Sequence, residues 1–227
     1  MIQLQTRPSD VRYIALEGVI GAGKTTLAKM LADRLKAKLV LERFEENPFL
    51  PKFYEDPDHY AFQTQIFFLL SRYKQQQELF QGDLFFNFLV TDYIFDKDKI
   101  FAYLTLQDDE LKLYENLIGT IEKNIPTPDL VVYLQSSVDR LMTNIKKRGR
   151  SYEENMSEEY IKDLNEAYNY FFFRYKATPL LIVNAAEIDF VNTPEDFEDL
   201  LHQILRKDKA PVEYYNPKSN LHTGSQE

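Results

Sequence analysis

The sequence has no cysteine and only three histidines among its 227 residues. The first absence excludes disulfides and thiolate metal ligands, and the second leaves too few imidazoles for a structural zinc site. Long apolar runs are missing too: the stretch at 66–70, one of the longest, is far too short to cross a bilayer. No basic segment followed by an apolar signal core opens the sequence, so the expected location is the cytoplasm. Positive charge is scarce, with 27 Lys and Arg against 36 Asp and Glu and a net charge of −9. Such a balance argues against a nucleic-acid surface, which needs a basic patch. A nucleotide site remains open, because a few local cations suffice for one. The expected partners are therefore small molecules, with neither nucleic acid nor membrane among them.

What is present is an alternation of strand and helix signals. Five short apolar runs, at 13–16, 39–41, 88–91, 130–134 and 180–183, read as strands. Most are continuous rather than alternating, as expected where both sheet faces are covered. Helical spacing fills the gaps, at 24–36, about 58–78, 108–123, 138–147 and 157–175. The pattern predicts an α/β fold: a doubly wound, five-stranded parallel sheet flanked by helices, with right-handed crossovers. The length suits a single domain over 1–206. Residues 1–10 read as a loose start, and 207–227, polar and carrying Pro211 and Pro217, as a tail.

The most specific signal is Gly18-Val19-Ile20-Gly21-Ala22-Gly23-Lys24-Thr25, a full match to G-x-x-x-x-G-K-[ST]. It lies directly between a predicted strand and a predicted helix, the context a phosphate-binding loop requires. Glycines let the backbone wrap phosphate oxygens, and the N–H groups at the helix start, through Thr26, bind negative charge. Lys24 is expected to reach the β- and γ-phosphates, and the Thr25 hydroxyl to ligate Mg²⁺. This points to ATP or a similar triphosphate and says nothing about the acceptor.

Three further features concern the acceptor. Ligands of open parallel sheets gather outside the carboxyl ends of the strands. The second predicted strand ends in Glu42 and the third in Asp92. One carboxylate can take a hydroxyl proton while the other holds the metal, although both also fit ordinary polar strand ends. On the long helix, Gln65 and Arg72 stand two turns apart with Phe68 between them. That stripe suits a nucleobase, or else is a solvated face. Lys146-Lys147-Arg148-Gly149-Arg150 is the densest basic cluster. It is either a lid over phosphates or a helix end whose cations favour the dipole.

Together these residues resemble the deoxynucleoside kinase family over about 12–205. Its most specific stretch is 54–72, with Tyr54, Glu55-x-Pro57, an aromatic, Gln65 and Ser71-Arg72 in the family's order and spacing. Glu46-Asn47-Pro48-Phe49, Asp92 through Asp98 to Phe101-Ala102, and Arg148-Gly149-Arg150 with Glu153 match as well. The resemblance implies Glu42 as general base on a 5′-hydroxyl. It implies Gln65 as the bidentate grip on the base, assisted by Arg72 and Asp98, with Gln63 a second candidate. Tyr54 and Glu153 would bind the 3′-hydroxyl, and Asp92 would help hold Mg²⁺. Arg148 and Arg150 would be lid cations, and the segment with Asp189 and Phe190 would border the donor base. It further implies a homodimer, and acceptors such as deoxyadenosine, deoxyguanosine or deoxycytidine ahead of thymidine, with a purine favoured.

The sequence departs from the family pattern at two places. Tyr93 and Asn144 stand where members usually carry arginine. Each loss removes positive charge near the phosphates, and Arg43, Lys97, Lys99 or Lys146 is expected to compensate. Two other readings are a nucleoside monophosphate kinase and a nucleotide-binding subunit without catalysis. The acidic segment Glu42-Arg43-Phe44-Glu45-Glu46 favours a neutral hydroxyl acceptor over an anionic one.

Overall fold

The computed structural model describes residues 11–79, 86–154 and 156–217. The expected loose start at 1–10 lies outside them, as does the end of the expected tail from 218 onward.

The chain begins with β1 (Tyr13–Gly18), α1 (Lys24–Leu35) and β2 (Lys38–Val40), followed by two helices, α2 (Leu50–Glu55) and α3 (Pro57–Glu78). Next come β3 (Leu89–Thr91), α4 (Lys97–Thr105), α5 (Asp108–Ile121) and β4 (Leu130–Gln135). The last part holds α6 (Val138–Arg148), α7 (Glu158–Arg174), β5 (Leu180–Asn184), α8 (Pro194–Leu205) and β6 (Val212–Tyr215). All pairings are parallel, in the order β2-β3-β1-β4-β5-β6.

The expected doubly wound parallel sheet is present, with one correction. It has six strands, not five. The sixth falls inside the expected tail, where β6 pairs with β5 from Leu180↔Val212 to Val183↔Tyr215. Val212 and Tyr214 are exposed while Glu213 and Tyr215 are half-buried, so this edge strand lacks the continuous apolar run that marked the inner strands. Helices α2, α4 and α8 also lie beyond the five predicted.

Burial explains the rest. Every residue of β1 is buried, and Leu130, Val131, Val132, Tyr133 and Leu134 of β4 lie beside them at 1% exposure or less. Tyr133 stacks on Phe172 of α7 with ring centroids 4.3 Å apart, joining the sheet to the helix layer. Local signals set the helix ends. Ser137 and Ser157 accept N-cap hydrogen bonds from Arg140 and Tyr160, and α6 stops at Gly149 in the left-handed region. No helix among the described residues is long and apolar enough to cross a membrane.

Candidate active site

At the carboxyl end of β1 the chain turns through the glycine loop into α1. Gly21 has φ +86°, and a Cβ there would sit 2.7 Å from the Leu141 carbonyl oxygen, so the loop packs against α6 only with glycine at this position. Lys24 folds its ammonium over the loop, donating to the carbonyls of Gly18 and Val19 at 2.5 and 3.2 Å. Burial and the neighbouring Lys97 lower its pKa to about 8, against the opposing pull of Glu17, Glu42 and Asp92.

Thr25 Oγ1 donates to Asp92 Oδ2 at 2.5 Å, and the other Asp92 oxygen accepts the backbone N–H of Glu42 at 2.7 Å. Asp92 follows β3, and Glu42 lies two residues beyond the end of β2. One carboxylate thus ties both neighbouring strand ends to the start of α1. A hydroxyl and a carboxylate are hard oxygen donors of the kind that suit Mg²⁺ supplemented by water and phosphate. No cluster of three or more His, Cys, Asp or Glu with metal-binding geometry exists among the described residues, so an all-protein cage is not what the site offers.

Glu42 is held by two cations. Arg72 of α3 donates Nε–H to Glu42 Oε1 at 2.8 Å with Nη2 2.7 Å from the same oxygen, and Lys97 of α4 donates to Oε2 at 2.7 Å. Burial pushes this carboxyl up, but the charges and hydrogen bonds of Lys97 and Arg72 outweigh it and bring the pKa down to about 2. It is ionised at neutral pH.

The predicted stripe on α3 faces inward. Gln65 and Arg72 are 4% and 3% exposed, whereas Gln63 is exposed, which separates the two glutamines. Gln65 Nε2 donates to the backbone oxygen of Asp98 at 2.9 Å, and Phe68 carries the Arg72 guanidinium over its ring at 4.7 Å. A cavity of about 670 Å³ joins these groups. It is lined by Lys24, Thr25, Glu42, Asp92, Gln65, Phe68 and Arg72, and contacts link them in turn: Thr25 to Asp92, Asp92 to the Glu42 backbone, Glu42 to Arg72, and Arg72 to the Phe68 ring. Its size suits small-molecule ligands.

A family model described as deoxynucleoside kinase matches residues 14–208. The chain belongs to the deoxynucleoside kinase family. Among curated relatives it is 35% identical over 199 residues to a deoxyguanosine kinase of Bacillus subtilis, covering 85% of this chain and 95% of that one. It is 31% identical over 198 residues to a deoxyadenosine/deoxycytidine kinase of the same organism, covering 84% and 90%. Among solved structures it is similar to deoxyadenosine kinase from M. mycoides with bound dATP. The TM-score is 0.73 at 26% identity, with 85% of this chain and 98% of that one covered.

For a member of this family, the other expected residues lie as follows. Tyr54 stacks on Tyr152 with centroids 6.1 Å apart, and both line the cavity beside Glu153. Burial raises the Tyr54 hydroxyl well above its ordinary range, so it stays protonated as a donor. Arg148 grips Glu153 through Nη2 at 2.6 Å, and Arg150 reaches the same carboxylate at 3.4 Å while its guanidinium lies 4.2 Å from the Phe44 ring centroid. Asp189 and Phe190 line the cavity, and a Cβ on Gly23 would lie 3.3 Å from the Phe190 ring. Asp98 is fully buried and does not line the cavity; it acts on Arg72 Nη1 instead.

The two departures resolve differently. Tyr93 is fully buried and supplies no charge. Asn144 Nδ2 donates to the Gly21 carbonyl oxygen at 2.9 Å, linking α6 to the glycine loop. Of the four cations considered as replacements, Lys97 alone lines the cavity. Arg43 pairs with Glu46 and Glu78, Lys99 pairs with Asp96 and Glu122, and Lys146 is exposed on α6.

Sequence reasoning missed two groups. Glu17, fully buried near the end of β1, accepts the N–H of Gly18 at 2.9 Å and of Ile94 at 3.1 Å. Burial raises its pKa against the pull of Lys97, Lys24 and those N–H groups. Its signal was an acid closing an otherwise apolar strand. Arg140 donates to the backbone oxygens of Ala186 and Ile188 at 2.7 and 2.9 Å, holding the segment that leads to Asp189. Nothing local in the sequence marks that contact.

Proposed function

We propose that this chain transfers the γ-phosphoryl group of ATP to the 5′-hydroxyl of a deoxynucleoside by direct in-line displacement. The observation that supports the reading is the shared cavity, which Glu42, the glycine loop, Gln65 and Phe68 all line, with Glu42 linked to Thr25 through Asp92 and to Phe68 through Arg72. Glu42 takes the hydroxyl proton while the 5′-oxygen bonds to the γ-phosphorus. The bond from that phosphorus to the β-phosphate oxygen breaks, and ADP leaves with the electron pair. Lys24 holds the β- and γ-phosphates, and Arg148 and Arg150 neutralise charge on the group in flight. Thr25 and Asp92 would hold Mg²⁺, which would supply Lewis-acid stabilisation of phosphate charge. No covalent enzyme intermediate is needed.

Specificity follows from the opposite wall. Gln65 pairs with the base through its amide, Phe68 presents a ring face, and Arg72 assists from its place between Glu42 and Asp98. Tyr54 and Glu153 take the 3′-hydroxyl. Asp189 and Phe190 border the donor base. A purine deoxynucleoside is the favoured acceptor, a choice supported by the deoxyguanosine and deoxyadenosine activities named for the relatives, while the buried Arg72–Asp98 pair favours these and deoxycytidine over thymidine. The reading places the enzyme in the cytoplasm as a homodimer. Exposed Leu70 on α3 and Leu113 and Leu117 on α5 supply apolar surface for pairing. Sedimentation showing only monomer at micromolar concentration would remove that part.

ADP release measured with four deoxynucleosides and with their monophosphates tests the reaction. The expected result is turnover with at least one deoxynucleoside, purines fastest, and none with monophosphates. Turnover on a monophosphate alone would reassign the acceptor, and nucleotide binding with no turnover on any acceptor would contradict catalysis.

A further inference from the structure

Glu42 presents two oxygens, and they are not equivalent. Oε1 accepts the Arg72 Nε–H at 2.8 Å and has Nη2 of the same guanidinium 2.7 Å away, so two nitrogens crowd it. Oε2 accepts one donor, the Lys97 ammonium at 2.7 Å. Oε2, with one close cation rather than two close nitrogens, is the more open oxygen for a substrate hydroxyl, and Lys97 already stands there. Two partners of one carboxylate oxygen, each at about 2.7 Å, lie roughly 4–5 Å apart. A hydroxyl accepted at Oε2 would therefore lie beside Lys97, whereas Arg72 is engaged at Oε1 and Asp98.

The placement of Lys97 is hard to explain as packing. It is 5% exposed, although an ammonium is costly to bury. It is also the first residue of α4, where the helix dipole disfavours a cation. Arg72 is shared between Glu42 and Asp98, so Lys97 completes the charge balance of the group, and its ammonium is the member of the pair that stands at Oε2. Lys97 also lines the same cavity as Lys24, Thr25 and Asp92, on a flexible four-carbon stem.

We propose that Lys97 is a catalytic residue on the acceptor side, its ammonium yielding Glu42 Oε2 to the 5′-hydroxyl and then standing against that oxygen and the arriving phosphoryl group. This rests on the kinase reading above. The proton passes from the 5′-hydroxyl to Glu42 Oε2, the oxygen–phosphorus bond forms, the bond to the β-phosphate breaks, and Lys97 keeps its own proton throughout. In this chain Lys97 supplies the positive charge that Tyr93 does not.

The experiment compares native enzyme with Lys97→Met, Lys97→Arg and Glu42→Gln, measuring kcat, KM and nucleoside affinity separately. Lys97→Met keeps the stem and removes the charge. Its kcat is expected to fall about 100-fold or more, in the range seen when one transition-state charge stabiliser is removed. Nucleoside Kd should stay within about threefold, and Lys97→Arg should recover at least a tenth of native kcat. A Lys97→Met kcat within about threefold of native, with Glu42→Gln inactive, overturns the proposal and leaves the kinase reading intact. Loss of nucleoside affinity matching the loss of kcat overturns it too, because the role would then be binding. A native enzyme inactive on every deoxynucleoside sinks the underlying reading instead. Should Lys97→Met fail to fold, a structure of the native enzyme with bound deoxynucleoside decides. Lys97 Nζ within hydrogen-bond distance of the 5′-oxygen supports the proposal, and Nζ remaining on Oε2 with the hydroxyl elsewhere contradicts it.

Discussion

Arg72 delivers both Nε and Nη2 to the single oxygen Oε1 of Glu42, at 2.8 and 2.7 Å, while its Nη1 is turned to Asp98. The residue expected to recognise the base thereby also fixes the residue expected to take the proton. In the proposed reading, base recognition and chemistry share one guanidinium.

Removing that guanidinium leaves Asp98 buried without its cation and Glu42 held by Lys97 alone. Arg72→Met is expected to destabilise the fold by about 3–5 kcal/mol, the usual cost of breaking a buried ion pair from one side. Urea unfolding checks the stability. Steady-state kinetics should show kcat and KM worsening together, and a change in KM alone would mean that Glu42 is positioned without Arg72.

Tyr54 lines the cavity beside Glu153, with its hydroxyl held protonated by burial. Tyr54→Phe keeps the ring stack on Tyr152 and removes one hydrogen bond. KM for a 2′-deoxynucleoside should rise about tenfold, equivalent to about 1.4 kcal/mol. KM for the 2′,3′-dideoxy analogue should hardly change. Equal effects on both substrates would place the 3′-hydroxyl elsewhere.

Gly21 packs against α6 at +86° φ, where an alanine Cβ would meet the Leu141 carbonyl oxygen at 2.7 Å and Ile145 Cγ1 at 3.0 Å. Gly21→Ala is expected to cost about 1–3 kcal/mol from backbone strain alone. ATP affinity should drop as well, since the loop must shift off Asn144. Calorimetric titration with a nonhydrolysable ATP analogue measures this, and unchanged affinity would detach the loop's shape from its packing on α6.

The legibility of this protein in its sequence follows from how local each determinant is. The inner strands were readable because burial on both faces writes continuous apolar runs, as at β1 and β4. The glycine loop was readable because its chemistry needs fixed residues at fixed spacing. β6 was not, because Val-Glu-Tyr-Tyr becomes a strand only by pairing with β5, a partner about thirty residues earlier. Gln65, Arg72 and Glu42 were placed in one site by resemblance rather than by pattern. Lys97 stood as one cation among four, since only the packing of α4 on α3 decides which lysine meets Glu42. Glu17 escaped notice because a buried acid looks, in sequence, like any polar residue ending a strand.

Acid stability gives a check independent of turnover. Lys97 and Arg72 hold Glu42 at about 2 in the folded state, against an ordinary value of 4.5. The unfolded chain therefore binds this proton more readily. The stabilisation is fully present above 4.5 and is lost as pH falls from 4.5 toward 2. The difference in unfolding free energy between native protein and Glu42→Gln should be constant near neutrality and shrink across that acidic window. A difference that stays flat would show that the two cations do not hold Glu42 in solution.

The decisive measurement is single-turnover phosphorylation of the preferred deoxynucleoside by native enzyme and by Glu42→Gln, with nucleoside affinity measured on the same samples. General-base loss predicts a chemical step slower by about 10²–10⁴-fold, with nucleoside affinity within about threefold of native. A Glu42→Gln enzyme that still transfers phosphoryl at a rate near native would contradict the assignment at its centre.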